Sequence, residues 1–285
     1  MSCVWAGTAL LSRLFRMGCF SAPAAQRKSA AYAVQLAEAE DYSTAISYFT
    51  VAGSFVDAKE RLTDAIYNYA CQDMSIGRYD RARENFKRCA GYKDADDKYK
   101  EAAYNYGCKL IDGKKYETAV FVFKELGSYK DSASKQLEAK YGYVVDNKRL
   151  KETSKYYGYI NDLVDARYKD SRAIYKEVYK WTVTVSAINS SATAWLDEKY
   201  IESSSPLYAH YKVSGGPPNG KTEVIVRYTF PSGYWGDYSL GDMRRGSSGC
   251  FFWEDGIGGP TGTLYLKFYD SDRNQIGSAS IKITN

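Results

Sequence analysis

The chain has 285 residues, 45% of them hydrophobic and 26% charged, with a formal net charge of +5. That length accommodates two ordinary domains, and the balance of apolar and charged residues excludes both a disordered chain and a bundle of membrane helices. Residues 1–28 contain Arg13, Arg16, Arg27 and Lys28 and no acid, so the remainder is nearly neutral and no concentrated basic face for nucleic acid is implied.

The segment 1–28, MSCVWAGTALLSRLFRMGCFSAPAAQRK, has an apolar run interrupted by Arg13 and Arg16. The run is too short to span a bilayer. Positive charge follows it instead of preceding it, which is the wrong order for a signal peptide. Arg16 also spoils the R-M-G-C stretch as a lipidation site ending in Cys19. The segment reads as an unstructured leader or misassigned start, with an export or anchoring segment and a transit peptide as alternatives.

From residue 29 the sequence repeats itself. DYSTAISYFTVAGSFVDA, RYDRARENFKRCAGYKDA and KYETAVFVFKELGSYKDS superpose at a constant offset of 37: Tyr42, Tyr79, Tyr116; Ala45, Ala82, Ala119; Phe49, Phe86, Phe123; Phe55, Tyr92, Tyr129; Asp57, Asp94, Asp131. Tyr32, Tyr69, Tyr106 and Tyr143 keep the same period upstream. Each unit reads as two helices. The first, as in DADDKYKEAAYNYGCKLIDG, opens on an Asp suited to accept the free N–H groups of the helix start and ends near a Gly. The second, as in KKYETAVFVFKEL, sets Tyr116, Ala119, Phe123 and Leu126 on one face. A small Ala lets helices approach, and the aromatic four residues later fills the space beside it. A single hairpin cannot bury both faces, whereas stacked copies can.

These residues resemble the tetratricopeptide repeat. G-x-Y-x-x-A-x-x-x-F, present as Gly77, Tyr79, Ala82 and Phe86, is similar to that family's signature, and Tyr69-Ala70 and Tyr106-Gly107 match the small residue of its first helix. The period of 37 and the turn G-x-Y-K-D-[AS] depart from the family's usual form; this longer unit looks like the repeats of uncharacterised Firmicutes proteins. A stretched fourth pair carries the turn as Tyr168 to Ser171 and ends in a helix expected over about 171–180. The resemblance implies an α-helical solenoid over 29–180 whose first helices line a groove for a peptide. Carried over residue by residue, the groove positions are Tyr67, Cys71, Met74, Tyr104, Cys108, Ile111, Tyr141 and Val145. Packing of the solenoid core is the competing account of the same side chains. The six cysteines stand singly, with no C-x-x-C pair, so neither a zinc site nor a disulfide framework is expected.

At Trp181 the apolar period changes to two. WTVTVSAI, LYAHYKV, TEVIVRYTF, GTLYLKFY and IGSASIKI read as strands, separated by Gly, Pro, Asn and Ser clusters, and residues 181–285 are expected to form an antiparallel, immunoglobulin-like β-sandwich. His210, the one histidine, sits in a strand, which excludes a His-based triad and a multi-histidine metal centre. Gly215 to Thr222, GGPPNGKT, fits the phosphate-loop pattern G-x-x-x-x-G-K-[ST]. Pro217 and Pro218 remove two N–H donors, and the run after Thr222 is a strand instead of a helix, so the stretch is expected to be a turn with Lys221 at the surface. DSDRNQ, Asp270 to Gln275, partly imitates a calcium loop but lacks its Gly and its bidentate Glu, and reads as a hairpin turn.

Acids beside tryptophans invite a glycosidase reading of Asp237 and Glu254, but turns between strands are rich in Asp in any case, and no catalytic residue is expected. Tyr234, Trp235, Phe252 and Trp253 offer instead a surface for stacking on sugars or a partner, with core packing as the alternative. The expectation is a non-enzymatic interaction or scaffold protein that binds a peptide or protein, with a cell-envelope or carbohydrate-binding protein as the alternative. No cofactor, metal or nucleic acid is expected, and a cytoplasmic location is favoured over an exported one.

Overall fold

The structure is a computed structural model that describes residues 22–55, 57–190, 198, 200–253 and 261–285. Helices come first and strands second. Nine α-helices occur among the described residues: α1 Ala22–Glu38, α2 Tyr42–Ala52, α3 Ala58–Ser75, α4 Tyr79–Arg88, α5 Ala95–Asp112, α6 Tyr116–Leu126, α7 Ser132–Asp146, α8 Ser154–Asp165 and α9 Ser171–Val178. The chain divides into two compact units at 142/143, within α7.

The 37-residue period is visible in the element boundaries. Helices α2, α4 and α6 open at Tyr42, Tyr79 and Tyr116, and α3, α5 and α7 open at Ala58, Ala95 and Ser132. Ala45, Ala82 and Ala119 are fully buried, and Phe49, Phe86 and Phe123 are nearly so. The small residue of the first helix has a measurable reason: a Cβ on Gly107 would stand 2.6 Å from Phe123 Cζ. Before each first helix the chain makes one turn, in which the N–H of Ala58, Ala95 and Ser132 donates to the carbonyl of Phe55, Tyr92 and Tyr129. Lys93 and Lys130 adopt φ of 49° and 48° in the second and third of these turns, and Lys169 adopts 48° in the like turn before α9, where Ser171 N–H donates to the Tyr168 carbonyl.

One expectation fails here. Asp94 precedes α5 but makes no side-chain cap, and Asp57 before α3 makes none either. Asp57 takes the Arg61 guanidinium at 2.6 Å, and Asp94 accepts the hydroxyl of Tyr67 on α3. Each carboxylate takes a side-chain donor within reach, a guanidinium for Asp57 and a phenol for Asp94, in place of backbone N–H groups that water also solvates. The last helix stops at Val178, two residues short of the expected end.

The strands are β1 Trp181–Asn189, β2 Tyr200–Glu202, β3 Leu207–Gly215, β4 Lys221–Thr229, β5 Trp235–Arg244, β6 Ser248–Trp253, β7 Gly262–Tyr269 and β8 Gln275–Thr284. They form a three-stranded sheet, β1-β3-β6, and a five-stranded sheet, β2-β8-β7-β4-β5, which curls into a half-barrel. All described pairings are antiparallel except β2 with β8, which departs from the all-antiparallel expectation: three residues of β2 fill the edge of β8 in the same direction. One buried cluster draws on both sheets, with Val183, Leu207, Ala209 and Val213 from one and Val224, Val226, Leu264, Leu266 and Phe268 from the other. The sheets approach so closely at one point that a Cβ on Gly277 would meet the Val183 carbonyl oxygen at 2.3 Å. Helices α8 and α9 belong to this unit, where the Arg245 guanidinium binds Glu152 and the carbonyls of Gly215 and Gly216.

Candidate functional site

Tyr67 on α3 and Tyr104 on α5 are one period apart, and each is built into the same arrangement. Their hydroxyls donate to Asp94 and Asp131 at 2.5 Å. Their rings meet Phe86 and Phe123 edge-on at 5.9 Å, and the Nζ of Lys93 and Lys130 lies 4.8 and 5.0 Å from the ring centres. Burial and Asp94 raise the Tyr67 phenol pKa above its ordinary value, and the hydrogen bond to Asp131 together with burial does the same for Tyr104. Two of the expected groove residues are therefore engaged inside the repeats, tying a first helix to the turn that follows the next. Met74 is half-buried and packs with Cys71 against the core around Phe86, Ile111 and Tyr141 are half-buried, and Val145 is exposed. Burial pushes the Cys108 thiol up, as it does Cys89 and Cys250, which disfavours the thiolate.

The second repeat holds a group that periodicity did not single out. Asp73 is 1% exposed, yet one period away stand Leu36 and Leu110. Its neighbour in the buried set, Asn85, stands where the next repeat has Val122. Neither carboxylate oxygen of Asp73 has a well-formed hydrogen bond, and Arg81 Nε approaches Oδ2 only to 3.4 Å. Burial raises the Asp73 pKa, with Arg78 and Asn85 opposing. Arg81 also lies over the Tyr69 ring at 5.0 Å and lines an open depression of about 370 Å³ with Tyr69, Asp80, Arg83, Glu84 and Asn85. Comparison with the copies on either side would have revealed Asp73 from sequence, as a polar residue flanked one period away by Leu36 and Leu110.

In the β unit the expected surface residues separate. Tyr234 and Trp235, at the start of β5, are 64% and 55% exposed. Trp253 instead packs inward, edge-on to Tyr228 at 4.9 Å and Phe230 at 5.3 Å, at the rim of the core. Phe252 is exposed on the opposite sheet, stacked with Tyr208. Asp237 receives two hydrogen bonds from Arg227, at 2.8 and 2.9 Å, and one from Arg273 at 3.0 Å. Arg227 chiefly, with Arg273, holds its carboxyl below the ordinary carboxylate range, so it is unsuited to donate a proton as a glycosidase acid. Glu254 lies outside the described residues.

Gly215 to Thr222 crosses from β3 in one sheet to β4 in the other through a turn closed by Gly220 N–H to the Pro217 carbonyl at 3.1 Å. Strand β4 starts at Lys221, whose Nζ pairs with Asp242 at 2.5 Å, and Thr222 Oγ1 accepts from Ser271 N–H. The helix N-terminus that phosphate binding needs is replaced by a strand. Asp270 is the hub of the β7–β8 hairpin, accepting from the N–H of Asp272 and Asn274 and from the Asn274 amide. His210 is buried within β3. Among the described residues, no cluster of three His, Cys, Asp or Glu is placed to hold a metal, and no helix is long and apolar enough to cross a membrane. Comparison with protein-family models and with curated proteins finds no match.

Proposed function

We propose that the chain is a non-enzymatic binding protein: a tetratricopeptide-like solenoid that holds a peptide or protein partner, joined to an immunoglobulin-like sandwich that provides a second surface. The observation that supports it is the repetition of one set of contacts, Tyr67 with Asp94 and Lys93, Tyr104 with Asp131 and Lys130, at a spacing of one repeat. Repeats joined by identical contacts make a stiff array, and stacked helical repeats offer extended surfaces to partners. Met74 and Ile111, one period apart and half-buried, are apolar side chains of the expected groove that those contacts do not hold. The test is selection of peptides from a displayed library by the full-length protein. Met74→Glu with Ile111→Glu should abolish capture while the helical circular dichroism spectrum is retained; undiminished capture by that variant, or no selected peptide, sinks the reading.

A second reading, binding of carbohydrate through the β unit, is favoured by the exposure of Tyr234 and Trp235, while Tyr67 and Tyr104 are engaged internally. Aromatic rings left open to water in this number are commonly contact surfaces.

A further inference from the structure

The outer face of the five-stranded sheet groups side chains that lie far apart in sequence. Register places Trp235 of β5, Thr229 of β4, Tyr265 of β7 and Ser280 of β8 in one cross-strand row. The next row is Asp237, Arg227, Lys267 and Ser278. Both rows face away from the core, because the alternating positions Val226, Leu264, Leu266 and Phe268 are buried.

Trp235 and Tyr265 remain 55% and 51% exposed, Trp235 at the start of the edge strand β5 and Tyr265 within the inner strand β7. They are two strands apart, about 10 Å at the usual strand spacing. Beside them Arg227 is locked in place. Its two N–H donors grip Asp237, which Arg273 also grips, and its guanidinium lies 4.4 Å from the Trp235 ring centre and 5.5 Å from that of Tyr269. An Arg held by a bidentate carboxylate and an aromatic face has little freedom left to lose when a ligand arrives.

The chemistry of this strip selects among ligands. Two open rings offer apolar platforms, and beside them lie donors (Arg227, Arg273, Lys267), an acceptor with lone pairs to spare (Asp237) and hydroxyls that do both (Thr229, Ser278, Ser280). A sugar has an apolar C–H face and a rim of hydroxyls that both donate and accept, so it uses every one of these groups. A phosphodiester only accepts, so it could use the cations but none of the acceptors of this strip. Two platforms two strands apart on the outer face of the curled sheet suit an extended chain in which alternate rings turn the same side to the protein.

We propose that Trp235, Tyr265, Arg227 and Asp237 form a binding site for an extended polysaccharide, with the two rings stacking on sugars of one chain and the Arg–Asp pair taking hydroxyls beside them. The proposal rests on the carbohydrate reading above and moves its site from Tyr234 and Trp253 to the sheet face. The experiment uses the full-length protein, depletion by insoluble cellulose and chitin, and retardation in gels containing xylan or β-glucan. At least one of the four should bind. Trp235→Ala and Tyr265→Ala should each weaken that binding at least about tenfold at an unchanged melting midpoint. Tyr265→Trp should preserve it, and Tyr234→Ala and Phe252→Ala should leave it intact. Binding lost through Tyr234 or Phe252 but not through Trp235 or Tyr265 overturns this site and leaves the carbohydrate reading standing. No binding to any of the four overturns both. Capture of a single-stranded oligonucleotide that Trp235→Ala abolishes, without polysaccharide binding, overturns the choice of ligand.

Discussion

Tyr104 and Asp131 stand for the bond on which the helical repeats depend, a phenol hydroxyl donating to a carboxylate. Hydrogen bonds to charged groups are stronger than neutral ones, but the Asp is solvated, so Tyr104→Phe should lower stability by about 1 kcal/mol, read from urea unfolding. Tyr67→Phe should behave alike because its surroundings are the same. The Tyr67 hydroxyl chiefly holds the Asp94 carboxyl below its ordinary value. Its contribution is therefore complete above the unfolded carboxylate pKa and fades as pH falls through the lower, folded one. Tyr67→Phe should accordingly flatten the acid limb of a stability profile. Asp73 has the opposite sign. Burial raises its pKa, so the folded state disfavours the ionised form, and stability declines as pH rises from the unfolded value through the folded one. Asp73→Leu, which restores the residue found at 36 and 110, should raise stability at neutral pH by about 1 to 3 kcal/mol and remove that decline. A loss of stability would mean that the carboxylate has partners stronger than Arg81 at 3.4 Å.

At the scale of the element, the turns before α5, α7 and α9 take left-handed backbone from a lysine. Lys130 at φ 48° pays for that conformation with a contact, its Nζ lying 5.0 Å from the Tyr104 ring and 5.3 Å from that of Tyr129. Lys130→Ala loses the contact and keeps the strain, whereas Lys130→Gly loses both, so the Gly variant should be the more stable by about 1 kcal/mol in thermal or urea unfolding. Helix pairs were legible in sequence because Ala82, Phe86 and their sisters recur at fixed offsets, and a buried face must keep its spacing. Strands β1, β3, β4, β7 and β8 were legible for the same reason at a period of two. Strands β5 and β6 were not: Gly236, Asp237, Gly241, Asp242 and Gly249 are poor strand formers, and only pairing with β4 and β3 makes them extended. The missed β5 is the strand that carries Trp235 and Asp237, which hid the cross-strand rows of the sheet face.

On the scale of the molecule, the buried residues fall into separate cores, those of the helical repeats and that drawn from both sheets. Phe123→Ala removes a ring buried among the repeats and should cost about 3 to 5 kcal/mol, seen as a lower midpoint of the helical circular dichroism signal. Leu266→Ala, in the sheet core, should cost about 2 to 5 kcal/mol and lower the midpoint of the aromatic near-ultraviolet signal. Sequence by itself determined the order of helices and strands, the repeat length, the positions of the core aromatics and the failure of GGPPNGKT as a phosphate loop. All of these follow from local rules: the spacing that a buried face demands, the missing N–H of proline, the turn chemistry of glycine. Tertiary structure alone decided that Asp94 binds Tyr67 instead of capping its helix, that Trp253 turns to the core, and that Arg227, Asp237, Trp235 and Tyr265 share one face. Those outcomes depend on which distant side chain or strand arrives alongside, and strand register and helix stacking set that without leaving a mark on the residues' own neighbours in the chain.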